Sequence, residues 1–180
     1  ALPIYATLVL DIARKAFPTQ WRKLKLSVPT LASWVGYDLD GRTDIHWSQS
    51  FALRLQEKAV QLSRYVTDLE ALIDRSAGET KAQLSTLSER LAAAASLTEA
   101  EAEIFAEDLT VPDNLVRAAN QLTGEQSDRL VSAAPIIEEL CALAAVEQDE
   151  ALARDMLALS AKVDALKLGT ARIHLRLNAE

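Results

Sequence analysis

Cysteine occurs once in this chain, as Cys141. One thiol excludes an internal disulfide and suits a reducing compartment, so a cytoplasmic protein is expected. Glycine and proline are scarce, with five of each in 180 residues. So few turn-formers leave room for few turns, which points to long helices. Aromatic residues make up 5% of the chain, while alanine and leucine are abundant, a bias with the same meaning. Positive charge is in deficit: the net charge is -7 and the pI is near 4.9. That balance argues against nucleic acid or an anionic membrane as partner. A few local arginines can still hold an anionic substrate inside an acidic protein. There is no signal-peptide pattern and no apolar run of bilayer-spanning length. Glycine-rich phosphate loops, Cys/His zinc spacings and a G-x-S-x-G elbow are also missing.

What remains is a globular composition, 49% apolar and 25% charged, in a chain long enough for a real core. Ile4, Leu8, Ile12 and Ala16 recur every four residues and predict a helix over 3–17, with Pro18 beyond it as a stop. Arg14, Lys15, Arg22, Lys23 and Lys25 cluster around that end. They read either as a solvated helix terminus or as an anion-binding group. Leu26 to Val35 reads as a buried strand, made irregular at its start by Pro29.

From Trp47 to Asp74 the series Phe51, Leu55, Ala59, Leu62, Val66, Leu69, Ile73 defines one face of a long helix, with His46 capping or flanking its start. Gly78 interrupts, and Leu84, Leu87 and Leu91 carry a second helix to Ala95. Ser96 with Glu99, and Thr98 with Glu101, predict capping boxes opening a third, ending near Pro112. A short helix through Asn120 and a turn at Gly124 follow. Pro135 suits the first turn of a helix running to Val146, and Cys141 on its apolar face reads as inert core. Leu152, Met156, Leu159, Val163 and Leu166 mark a further helix, ended by Gly169. Residues 170–178 alternate apolar and polar, as a strand does.

The two strands are separated only by helices, and a lone strand is not stable. They are therefore expected to pair in parallel across a helical crossover of unusual length. The chain divides into strand and loop (26–46), crossover (47–168) and second strand (169–178). The expected fold class is mainly α, long amphipathic helices with two short parallel strands. Two strands cannot close a barrel, so the chain reads as a segment of a larger α/β-barrel enzyme. Loops at the carboxyl ends of barrel strands carry function. Trp34, Gly36, Asp38 and Asp40 would then lie near Arg176 and Asn178.

The loop Ser33-Trp34-x-Gly36-x-Asp38-x-Asp40-Gly41 resembles the S-W-M-G-G-D-R-D-G-N-P loop of phosphoenolpyruvate carboxylases at six positions. Tyr37, Leu39, Arg42 and Thr43 depart from that pattern. Gly169 and Arg176 resemble the Gly and Arg of the family's F-G-L-x-L-x-x-L-D-I-R-Q strand, allowing a two-residue shortening. The resemblance implies a parent enzyme joining bicarbonate to phosphoenolpyruvate with Mg²⁺ or Mn²⁺, giving oxaloacetate and phosphate. It implies that Trp34 walls the pocket where carbon dioxide reacts and that Arg176 binds the phosphate or carboxylate of phosphoenolpyruvate. Without the resemblance, Trp34 is a core residue and Arg176 a surface ion-pair partner.

Ser33, Gly36, Asp38, Asp40 and Gly41 shape the loop, the two carboxylates accepting backbone N–H bonds. Asp38-x-Asp40-Gly41 fails as a calcium loop, since its twelfth position is Gln49. No catalytic residue and no metal ligand is assigned to the chain, and His174 reads as structural or exposed. The family's T-A-H-P-T and G-Y-S-D-S stretches are missing, so the isolated 180 residues are expected to be inactive. A degenerate enzyme retained for regulation is a further expectation. The rival reading is a non-catalytic helical module for protein interaction or oligomerisation, including a homo-oligomer.

Overall fold

The structure, a computed structural model, describes residues 2–33 and 46–173. In chain order the described residues form α1 (Leu2–Ala16), a 3₁₀ turn (Trp21–Lys23), β1 (Ala32–Ser33), α2 (Trp47–Ile73), α3 (Gly78–Phe105), α4 (Pro112–Thr123), α5 (Ala134–Val146), α6 (Glu150–Leu166) and β2 (Arg172–Ile173). None of these helices is long and apolar enough to cross a membrane.

The long helix expected from Trp47 folds as α2. His46 caps it: its ring Nδ1 lies 2.7 Å from the Ser48 hydroxyl, and the Gln49 side chain accepts from the His46 N–H. A turn leads back into α3, and these two helices form the most extensive contact in the molecule. Gly78 stands at the entry to α3 with φ +55°. That left-handed backbone costs a side-chain-bearing residue about 1 kcal/mol or more, which is why glycine serves here.

α3 corrects one expectation. No helix begins at Ser96 or Thr98, because α3 runs unbroken through both. The Thr98 hydroxyl donates 2.7 Å back to the Ala94 carbonyl, so it satisfies itself inside the helix instead of capping a new one. The helix-forming Ala92–Ala95 run just before it removes any reason to break.

α5 and α6 form a second hairpin, with Asp149 capping α6 by accepting from the N–H groups of Ala151 and Leu152. Leucines at 62, 84, 91 and 140, together with Met156 and Val163, are fully buried where α1, α2, α3, α5 and α6 converge. A smaller cluster of Ala52, Phe105, Leu109 and Ala118 ties α4 to the ends of α2 and α3.

The buried face of α1 is Ala6 and Leu10, packed on α6, whereas Ile4, Leu8 and Ile12 are 75%, 58% and 59% exposed. The four-residue repeat located the helix correctly, but its apolar row faces outward.

Gln61 on α2 is fully buried, and among the described residues both its amide atoms lack a hydrogen-bond partner. Its neighbour Tyr65 donates 2.9 Å to the Lys167 carbonyl, fastening α2 to the end of α6. Burial pushes the Tyr65 phenol well up. The adjacent Gln61 amide opposes this, though its contact falls short of hydrogen-bond geometry, and the Asp68 charge adds to it. A buried, unpaired amide costs about 1–3 kcal/mol. Gln61→Met, similar in volume and apolar, should therefore leave the fold intact and raise the thermal midpoint. An unfolding scan showing a clear drop would mean that the amide is satisfied in solution.

Candidate functional site

β1 and β2 pair in parallel, with Ala32 opposite Arg172 and Ser33 opposite Ile173. The Arg172 N–H donates 2.8 Å to the Leu31 carbonyl. The first strand was expected from Leu26; among the described residues of 26–31 only the Leu31 carbonyl joins the ladder, and the strands span Ala32–Ser33 and Arg172–Ile173, with 34–35 and 174–178 lying outside the described residues. Pro29 lacks the N–H a ladder needs. Leu31 is 61% exposed and Val28 is the buried residue of this stretch, so no continuous apolar face forms.

The approach to β2 is held from two sides. Tyr65 grips Lys167, whose φ of 54° ends α6. The Arg54 guanidinium packs directly over Gly169, so that a Cβ there would overlap it. The glycine thus permits a close approach, while the helix it was expected to end already stops at Leu166, with Lys167 as its cap.

Ser33 lies on β1, half-buried. Trp34, Gly36, Asp38, Asp40, Gly41 and Arg176 lie outside the described residues, as do Tyr37, Leu39, Arg42, Thr43, His174 and Asn178. The pairing brings Ser33 and Ile173 side by side.

Chain 46–51 begins with an aromatic row. The His46 and Trp47 rings are 5.4 Å apart, Trp47 meets Phe51 edge-on at 5.8 Å, and Phe51 stacks on Phe105 at 5.8 Å. A cavity of about 550 Å³ adjoins it, lined by His46, Gln49, Ala52, Phe105 and Asp108 among others. Hydrogen bonds from the Thr110 hydroxyl and N–H hold the Asp108 carboxyl below its ordinary value, against slight burial and with help from His46. Among the described residues, no three His, Cys, Asp or Glu side chains group to hold a metal ion.

Two charged clusters were not foreseen. Glu101, 1% exposed, receives two bonds from Arg129 at 2.8 and 3.1 Å. Arg129 also donates to the carbonyls of Gln121, Leu122 and Gly124, closing the end of α4. Burial pushes the nearby Lys58 ammonium down; Glu101 opposes this, and Arg129 and Arg54 add to it. The second cluster links α1 to α6 through Arg154 and Asp11, at 3.1 and 3.2 Å, and the turn after α2 to α6 through Arg75 and Asp155, at 2.8 Å. Nothing in the spacing of these residues signals either cluster, because each joins side chains far apart in sequence.

The basic cluster of the amino-terminal region splits on folding. Arg14 pairs with Asp11 and Glu150. Arg22 stacks over Trp21 and donates to the carbonyls of Ala144, Ala145 and Glu147, which closes α5. Lys23 and Lys25 stay exposed. Cys141 is not core: it is exposed, with its Sγ 3.6 Å from the Ser160 hydroxyl. Its helix lies at the surface, so the apolar pattern of α5 continues onto a solvent-facing side. No family model, curated protein or solved structure matches the chain.

Proposed function

We infer that this chain is a segment of an enzyme resembling phosphoenolpyruvate carboxylase, whose parent makes oxaloacetate and phosphate from phosphoenolpyruvate and bicarbonate. The single observation that supports this reading is the parallel pairing of Ser33 with Ile173 across a crossover whose described residues form helices and no strand. It is the pairing that a barrel segment carrying two neighbouring strands requires, and being parallel the two strands run toward one edge. In this reading the loop after Ser33 supplies Trp34 as a dry wall. Water there would protonate an enolate before it met carbon dioxide. Arg176 clamps the phosphate or carboxylate of phosphoenolpyruvate through two parallel N–H bonds. Mg²⁺ or Mn²⁺ belongs to the parent; no metal ligand is assigned to this chain.

The test is made in the full-length parent. Arg176→Ala should lower kcat/KM for phosphoenolpyruvate by about 10²–10³, as expected for the loss of a charged, bidentate contact. Arg176→Lys should recover only part of this. A parent that makes no oxaloacetate, or an Arg176→Ala variant with unchanged kinetics, would reject the reading.

A second reading, a helical interaction module, is favoured by the outward row Ile4, Leu8 and Ile12. The row is symmetric about Leu8, so an antiparallel second copy would set Leu8 on Leu8 and Ile4 on Ile12. With Tyr5 and Phe17 it exposes on the order of 600 Å² per copy, near the lower bound for a stable dimer once doubled. Sedimentation at micromolar concentration should then give a dimer that Leu8→Glu converts to monomer. A wild-type monomer at all concentrations would remove this reading.

A further inference from the structure

A cavity of about 410 Å³ opens between α1, the stretch 22–26, α5 and α6. Its volume lies within the range of small-molecule sites. Leu10, Leu26, Ile137 and Leu157 line it, and Cys141 and Ser160 stand side by side in one wall. Lys23 and Lys25 line it too, both exposed and, among the described residues, with no ion-pair partner. Arg22 is committed to the α5 carbonyls at 2.7–3.3 Å and acts as a fixed anchor for the strip that carries the two lysines. The acid in the lining, Asp164, is already paired with Lys167.

The unspent charge is therefore two ammonium groups over an apolar interior, in a chain whose net charge is -7. Two like charges at one opening repel, and an anion seated between them relieves that repulsion. The apolar lining asks for a ligand with a hydrocarbon body. Asp164 nearby disfavours a doubly charged head. We propose that this cavity binds a compact amphipathic carboxylate, its body against Leu10, Leu26, Ile137 and Leu157 and its head between Lys23 and Lys25. The site is separate from the strand edge and does not depend on the carboxylase reading.

Cys141 is the chain's single cysteine, so its alkylation by uncharged iodoacetamide reports on this cavity alone. The alkylation rate is followed while 4-phenylbutyrate or its charge-swapped counterpart 4-phenylbutylamine is titrated in. Phenylbutyrate should slow the reaction saturably, by about tenfold at saturation, and the amine by less than about twofold. Raising salt should weaken the protection, because the lysines are exposed. Lys23→Gln/Lys25→Gln, two surface changes that leave the fold and the unprotected rate intact, should raise the half-protecting concentration by about tenfold. Unsaturable protection, equal protection by the amine, or protection unchanged in the double variant would each overturn the proposal.

Discussion

Replacing Arg129 with alanine should destabilise the chain by about 3–5 kcal/mol, among the largest effects of any single change outside the leucine core. The reason is what is left behind. Glu101 is 1% exposed and takes both of its short bonds from this guanidinium. Without Arg129 it is a carboxylate stranded between helices, with the partly buried Lys58 as a compensating charge. Three carbonyls at the end of α4 also lose their donor. Urea unfolding measures the loss directly. Arg129→Met with Glu101→Met should recover much of it, because removing both charges removes the stranded one. A single variant within about 1 kcal/mol of wild type would mean that water reaches Glu101 and that the pair is a surface pair in practice.

The second large effect comes from a pair of neighbouring leucines. Leu10→Ala should cost about 2–5 kcal/mol, and Leu8→Ala no more than about 0.5 kcal/mol where the chain is monomeric. Leu10 is fully buried against α6, whereas Leu8 is 58% exposed. Both are leucines in the same helix, and the four-residue apolar repeat includes Leu8 but not Leu10. Comparing denaturation midpoints settles the orientation of α1. Equal losses, or a larger loss at Leu8, would place the apolar row inside and the described packing of α1 would be wrong.

These two cases mark how far the sequence could be read. The stretch Trp47–Ile73 was legible because a seven-position apolar series leaves little choice of period, and His46 suited a cap at its start. The helix ending at Val146 and the one carrying Leu152 to Leu166 were legible for similar reasons, with Pro135 at the entry of the first. The parallel pairing of two strands could be argued because an isolated strand has nowhere to place its backbone donors. Their length could not. Along 26–31 the ladder reaches only the Leu31 carbonyl among the described residues, and Pro29 has no N–H to extend it.

Scarce cysteine, scarce turn-formers and the acidic balance were local properties, and with the apolar periods they sufficed for a mainly helical chain. Which side of α1 turns inward, whether Thr98 opens a helix or lies within one, and where Lys23, Cys141 and Ser160 meet were settled only on folding. Periodicity gives the angle between residues on one helix but says nothing of the neighbour that covers them. Burial is shared among elements, so Leu10 is core because α6 lies against it, and Glu101 is tolerated inside because Arg129 reaches it from 28 positions away.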